Sequence, residues 1–190
     1  DLWFFVAMRS LGQRDLVIAV SYVVLLTAVG GLMVYEGFRA ILHGLNPERV
    51  LVAAEAIGIG RAALAKAAKY ARERIVFGRP IGQNQAIQHP LAKNWMELEA
   101  AWLMVLQAAW QYDQGMACGP AANAAKYLAA EAGYAACEQA VMTHGGFGYA
   151  REYHVERYFR ESLIPRIAPV SRELILSFIA EKVLGLPKSY

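Results

Sequence analysis

Residues 121–149 read AANAAKYLAAEAGYAACEQAVMTHGGFGY. Alanine, the strongest helix former, recurs throughout, and no β-branched run interrupts it. The stretch predicts a long helix over 121–143 that carries Tyr127, Leu128, Tyr134 and Val141. Gly145-Gly146-Phe147-Gly148 then reads as a loop.

Working outward, Cys118-Gly119-Pro120 separates this helix from an earlier one, which starts near Asn84 or Gln85 and runs to about Gly115. Its expected apolar stripe is Leu91, Met96, Leu98, Leu103, Leu106 and Trp110, with Trp95, Trp102 and Trp110 placed in the core or in a subunit interface. Phe77 to Gly82 holds two glycines and a proline and breaks the chain again. Before it, Asn46-Pro47-Glu48 predicts a helix start: Asn46 as cap, Pro47 in the first turn, Glu48 at the positive end of the dipole. That helix places Val50, Ala53, Ala54, Ile57, Arg61 and Leu64 at helical spacing and ends near Arg74, with Gly58 and Gly60 permitting close approach. Downstream, Tyr153–Glu161 is a short helix, and Ser171 caps a last one reaching about Leu184. The expected fold is all-α, an up-down four-helix bundle, without internal repeats.

The 190 residues are 57% hydrophobic and 18% charged, which excludes disorder for most of the chain. A net charge of +3 without a basic stripe argues against nucleic-acid binding. Two cysteines, Cys118 and Cys137, make neither a disulfide framework nor a zinc site, and read as reduced thiols in a cytoplasmic protein. No metal-ligand spacing, phosphate loop or nucleophile elbow occurs. The bundle does not account for the beginning of the chain. Leu16–Tyr35 is a 20-residue run without charge, preceded by Arg9 and Arg14. Its length suits a membrane-crossing helix, while its Val and Ile content and Gly30-Gly31 suit a buried strand pair. A third reading is a segment foreign to the fold. The expected division is 1–36, an atypical hydrophobic segment, and 37–190, the bundle.

Four pieces of 37–190 carry a family resemblance: Tyr70–Ile81 (YARERIVFGRPI), Gln85, His144–Tyr149 (HGGFGY) and Val155–Glu161 (VERYFRE). In this order and spacing they resemble the C-terminal helical domain of the acyl-CoA dehydrogenases. The resemblance implies α,β-desaturation of an acyl-CoA thioester, with FAD as cofactor and a glutamate as base. Complete members carry two further domains ahead of this bundle, and residues 1–35 match neither. The expectation is therefore a fragment, or a product out of frame upstream of Glu36-Gly37-Phe38, incomplete as an enzyme by itself.

Many members place the base in the turn before the last helix; here that position is Pro169, which cannot take a proton. A second group, similar to the isovaleryl- and long-chain enzymes, places it at the start of the first bundle helix, which here is Glu48. The resemblance thus makes Glu48 the catalytic base, against an ordinary reading as a first-turn glutamate. It implies that Arg49 holds the base or the substrate. Arg74 neutralises the FAD pyrophosphate of a neighbouring subunit, Phe77 lies near the adenine side, and Gln85 bonds the same cofactor. Met142, Thr143, His144, Gly145 and Gly146 lie along its ADP half, with Met142 where the family often has Gln. Arg160-Glu161 resembles a structural ion pair of the family.

The implied partners are an acyl-CoA substrate, other copies of the chain in a dimer or homotetramer, and electron-transfer flavoprotein or a similar acceptor. Membrane contact by 16–35 stays open. The competing readings are a non-catalytic bundle derived from the family, tethered or not, and a flavin oxygenase or acyl-CoA oxidase on the same scaffold.

Overall fold

The computed structural model describes residues 13–189, so the Arg9 flank lies outside the described residues. Helix α1 spans Gln13–Glu73, strands β1 (Ile75–Val76) and β2 (Arg79–Pro80) form a small antiparallel hairpin, and α2 spans Gln85–Asp113. Then come α3 (Gly119–His144), α4 (Val155–Glu161), α5 (Ile164–Ile167) and α6 (Arg172–Lys182). Short 3-10 turns cover Ile81–Gln83, Gly145–Tyr149 and Arg151–Tyr153. The chain divides into two compact units, 1–44 and 45–190.

In the first unit the described backbone is helical throughout, so 16–35 is no strand pair. Gly30-Gly31 makes no turn, and the Thr27 hydroxyl donates back to the Val23 carbonyl at 2.7 Å, which satisfies it within the helix. Residues 20–41 are all exposed. By length and composition alone, α1 is apolar enough to cross a membrane.

The second unit is the bundle. The expected helix start at Asn46-Pro47 is absent, because Pro47 lies inside α1. A proline withdraws one donor from the ladder and costs about 3 kcal/mol, which this helix tolerates without ending. Asn46 caps nothing; its Oδ1 accepts from the Arg49 guanidinium at 3.2 Å. The helix directions follow from who meets whom. Gly60 and Arg61 face Leu98 and Glu99, whereas Leu64 shares a surface groove with Leu91 and Trp95, so α1 and α2 run antiparallel. Ala56 meets Gly133 and Tyr70 meets His144, so α3 runs with α1. Arg172 pairs with Glu131 and Phe178 lies beside Gly119, so α6 returns along α3. The Ser171 hydroxyl caps α6, accepting from the Leu174 amide at 3.4 Å.

The core is built from small residues. Ala53, Ala56 and Ile57 of α1 meet Leu98, Ala101, Val105 and Ala108 of α2 and the alanine row Ala122, Ala125, Ala129, Ala132, Ala136 of α3. Small side chains let the helix backbones approach. At the α1–α3 crossing, a Cβ on Gly133 would stand 2.6 Å from the Ala56 carbonyl oxygen, and one on Gly60 would stand 2.9 Å from the Gly133 Cα. Gly58, also expected to permit close approach, has nothing within 4 Å and does not. The stripe expected on α2 is corrected likewise. Leu98 is buried and Leu91 half-buried, but Met96, Leu103, Leu106 and Trp110 are exposed, as is Trp95. Trp102 is half-buried, with the Arg61 guanidinium 5.2 Å from its ring centre. The Arg160-Glu161 pair does not form as expected either: Arg160 pairs with Glu156, one turn earlier on α4, and both Arg160 and Glu161 are exposed.

Candidate functional site

Two places in the bundle gather the expected residues. The first is a groove of about 420 Å3 at the end of α1 and α3, lined by Tyr70, Arg74, Val76 and Ile81 on one side and Met142–Phe147 on the other. Its floor is aromatic. Tyr70 stacks on His144 with ring centres 4.2 Å apart, Tyr153 meets both rings edge-on, and Phe147 leans on Tyr153 at 5.3 Å. The Arg74 guanidinium lies 5.5 Å from the Phe147 ring centre, which aims an exposed cation across the groove mouth.

His144 is buried, and its Nδ1 lies 2.7 Å from the Ala140 carbonyl. That contact places the proton on Nδ1 and leaves Nε2 as an acceptor in the neutral ring. Burial pushes the imidazole below its ordinary pKa, the Ala140 bond opposes that, and the charge of Lys66 adds to it. Gly145 closes α3 at φ +60°, a conformation that suits glycine, and a Cβ on Gly145 or Gly146 would meet no protein atom within 4 Å. No side chain covers the backbone there, although the Gly145 amide itself donates to the Val141 and Met142 carbonyls as the helix closes. Thr143 is buried and accepts from Gln139 at 3.3 Å, while Met142 is exposed. Aromatic faces, a guanidinium and a glycine loop without covering side chains suit a nucleotide diphosphate.

Six of the eight residues expected at the cofactor line this groove: Arg74, Met142, Thr143, His144, Gly145 and Gly146. Phe77 and Gln85 do not. Phe77 is fully exposed at the tip of the β1–β2 hairpin, at φ +52° beside Gly78 at φ +77°. Positive φ in a bulky residue is strained. Gln85 is exposed at the first position of α2.

The second place holds Glu48 and Arg49. Glu48 is exposed and lies within α1 rather than at its N-terminus. Arg49 is half-buried; burial lowers its pKa, Glu48 opposes that, and its buried Nε has no hydrogen-bond partner. Nearby charge comes from a residue the sequence reading did not single out. Lys126 of α3 is 1% exposed and donates to the Val170 carbonyl, next to Pro169. Burial lowers its pKa, Arg49 lowers it further, and Glu173 opposes both. A signal was available: Lys126 falls one turn after Ala122 and one turn before Ala130, in the alanine row. Tyr70 and Tyr153 were also passed over as site residues; nothing in their spacing announces a shared ring stack.

Cys137 is buried, and burial pushes its thiol up to about 12, with a Ser162 hydrogen bond opposing. It is no thiolate nucleophile at neutral pH. Among the described residues no three His, Cys, Asp or Glu side chains gather as metal ligands.

Compared with known proteins, residues 35–184 match the family description "Acyl-CoA dehydrogenase, C-terminal domain". The chain is 48% identical over 156 residues to acyl-CoA dehydrogenase fadE12 of Mycobacterium bovis, covering 80% of this chain and 40% of that protein. The structure of butyryl-CoA dehydrogenase from Megasphaera elsdenii superposes with a TM-score of 0.76 at 35% identity, over 78% of this chain and 39% of that one. PigA, solved with FAD and proline, gives 0.69 at 26% identity, over 72% of this chain and 36% of PigA. The chain spans about two fifths of the length of the curated relatives it matches.

Proposed function

The chain belongs to the acyl-CoA dehydrogenase family, whose C-terminal helical domain it carries, and from that premise we propose that it serves an FAD-dependent α,β-desaturation of an acyl-CoA thioester. The observation that carries this reading is the groove at Arg74 and His144. Its aromatic floor would hold the adenosine side, and Arg74 would offer the pyrophosphate a planar donor fork. The Gly145-Gly146 backbone, with no side chain in the way, would leave room for the same phosphates to come close. Phe77, on its strained hairpin tip, and Gln85 would reach the same cofactor, which the resemblance assigns to a neighbouring subunit.

The bound flavin supplies the hydride acceptor. Glu48 takes the proton from the carbon next to the thioester carbonyl, since Pro169 has no group to do so. Arg49 holds that carboxylate or the substrate beside it. The exposed Trp95, Leu103, Leu106 and Trp110 of α2 serve contacts with other copies or domains in a dimer or tetramer. The electrons pass on to an electron-transfer flavoprotein or similar acceptor. One observation favours a second reading, a bundle without catalysis: Glu48 is exposed, whereas a base needs desolvation at its target.

One variant separates the two readings. In a flavin-loaded enzyme that includes this domain, an acyl-CoA bleaches the visible flavin band, and Glu48→Gln keeps the flavin but loses the bleaching. Bleaching at the unaltered rate in Glu48→Gln removes Glu48 from the chemistry.

A further inference from the structure

Lys126 is the one described lysine that is fully buried, on an alanine-rich face of α3. An ammonium in such surroundings persists only with a compensating partner. The one hydrogen bond that its Nζ makes goes to the Val170 carbonyl, in the turn between α5 and α6. The positive charge of Arg49 works against that ammonium. Two cations at one end of a bundle are a poor arrangement for stability, and an apolar side chain of similar length would pack there with less strain. The opposing carboxylate is Glu173, at the start of α6, and Glu48 plays the same part for Arg49. Around one ammonium, then, the fold draws together two segments far apart in sequence: 46–49 on α1 and 167–173 before and within α6.

We infer that Lys126 is a positioning residue of the same site: its buried ammonium ties the turn Ile167–Ser171 to the bundle end that carries Arg49 and Glu48. The inference rests on the reading of Glu48 as base. That turn carries Pro169, the position that the resemblance aligns with the base of other members, and on that reading it lies beside Glu48. With Pro169 in place of a glutamate, the turn has no proton to move, and its remaining role is as a wall held in register against Glu48. Lys126 provides the hold through the Val170 carbonyl.

The test uses the full 190-residue chain, without flavin or substrate, so it stands apart from the bleaching experiment. Amide hydrogen exchange is compared in the unaltered chain, Lys126→Met and Lys126→Arg. The expected result is exchange about tenfold faster across 168–174 in Lys126→Met, with α2 amides 98–108 still protected. The Arg49 Nε–H signal in nitrogen-edited NMR shifts with it. Lys126→Arg, which keeps the cation and a donor, restores both readouts. Unaltered exchange across 168–174 in Lys126→Met overturns the inference, as does equal loosening of α2. If Lys126→Met does not fold, Lys126→Arg decides: protection across 168–174 within about twofold of the unaltered chain supports the tether, and a tenfold loss overturns it. An unaltered rate of bleaching in Glu48→Gln would instead sink the premise while the tether was still seen.

Discussion

His144 shows how one side chain couples the groove to solution conditions. Its ring is buried against Tyr70 and its proton is held on Nδ1 by Ala140, so the native state disfavours the imidazolium. The unfolded chain therefore takes up the proton first. Stability is complete above about pH 6.5 and falls as pH drops from there through the lowered native value. His144→Gln removes that slope, and it also costs about 1 kcal/mol at every pH for the lost stack. Urea unfolding at pH 7.5 and pH 5.5 measures both effects; an equal slope in the variant would mean that other groups carry it. His144 also marks what the residue scale concealed. HGGFGY was legible as a cofactor loop, but the ring stack beneath it depends on Tyr70, 74 positions away in the chain. Lys126 was hidden for a different reason, since a lysine is assumed to face water until the packing around it is known.

At the scale of the elements, the helices and breaks were legible because glycine and proline punctuate the chain where the helices end. Their faces were read backwards on α2. Large apolar residues at helical spacing suggested a stripe, yet the buried stripe is Asn94, Leu98, Ala101, Val105 and Ala108, and the tryptophans at 95 and 110 point out. The reason is separation. Helices that cross at Gly60 and Gly133 leave room for alanine and little more. Two glycines, Gly133 of α3 and Gly58 of α1, then behave in opposite ways. Gly133→Ala pushes a methyl into the Ala56 carbonyl and costs about 1–3 kcal/mol. Gly58→Ala meets nothing and stabilises the helix by up to about 1 kcal/mol. Thermal unfolding of both variants checks this: opposite shifts in Tm are expected, and a stabilised Gly133→Ala would mean that the crossing relaxes freely. Pro47 is the other element-scale lesson. Asn-Pro-Glu is a strong start signal, but the helix runs on through it, so a local signal lost to the continuity of the backbone.

For the molecule as a whole, the bundle of 45–190 and the helical segment before it are separate units with different surfaces. The family resemblance and the fold agree over the bundle, where motif and packing constrain each other. Residues 16–35 carried no such constraint: an uncharged run of that length satisfies a helix or a strand pair equally, and only the three-dimensional structure decides for the helix. On the function proposed above, the groove at Arg74 and His144 holds the nucleotide half of a flavin. The most direct measurement is a titration of the 190-residue chain with FAD, followed by the change in the flavin's visible spectrum, with Arg74→Ala alongside. Saturable binding, weakened about tenfold or more by Arg74→Ala, is the predicted result, because a charge-assisted contact to phosphate is lost. An unchanged flavin spectrum, or binding indifferent to Arg74, would contradict it.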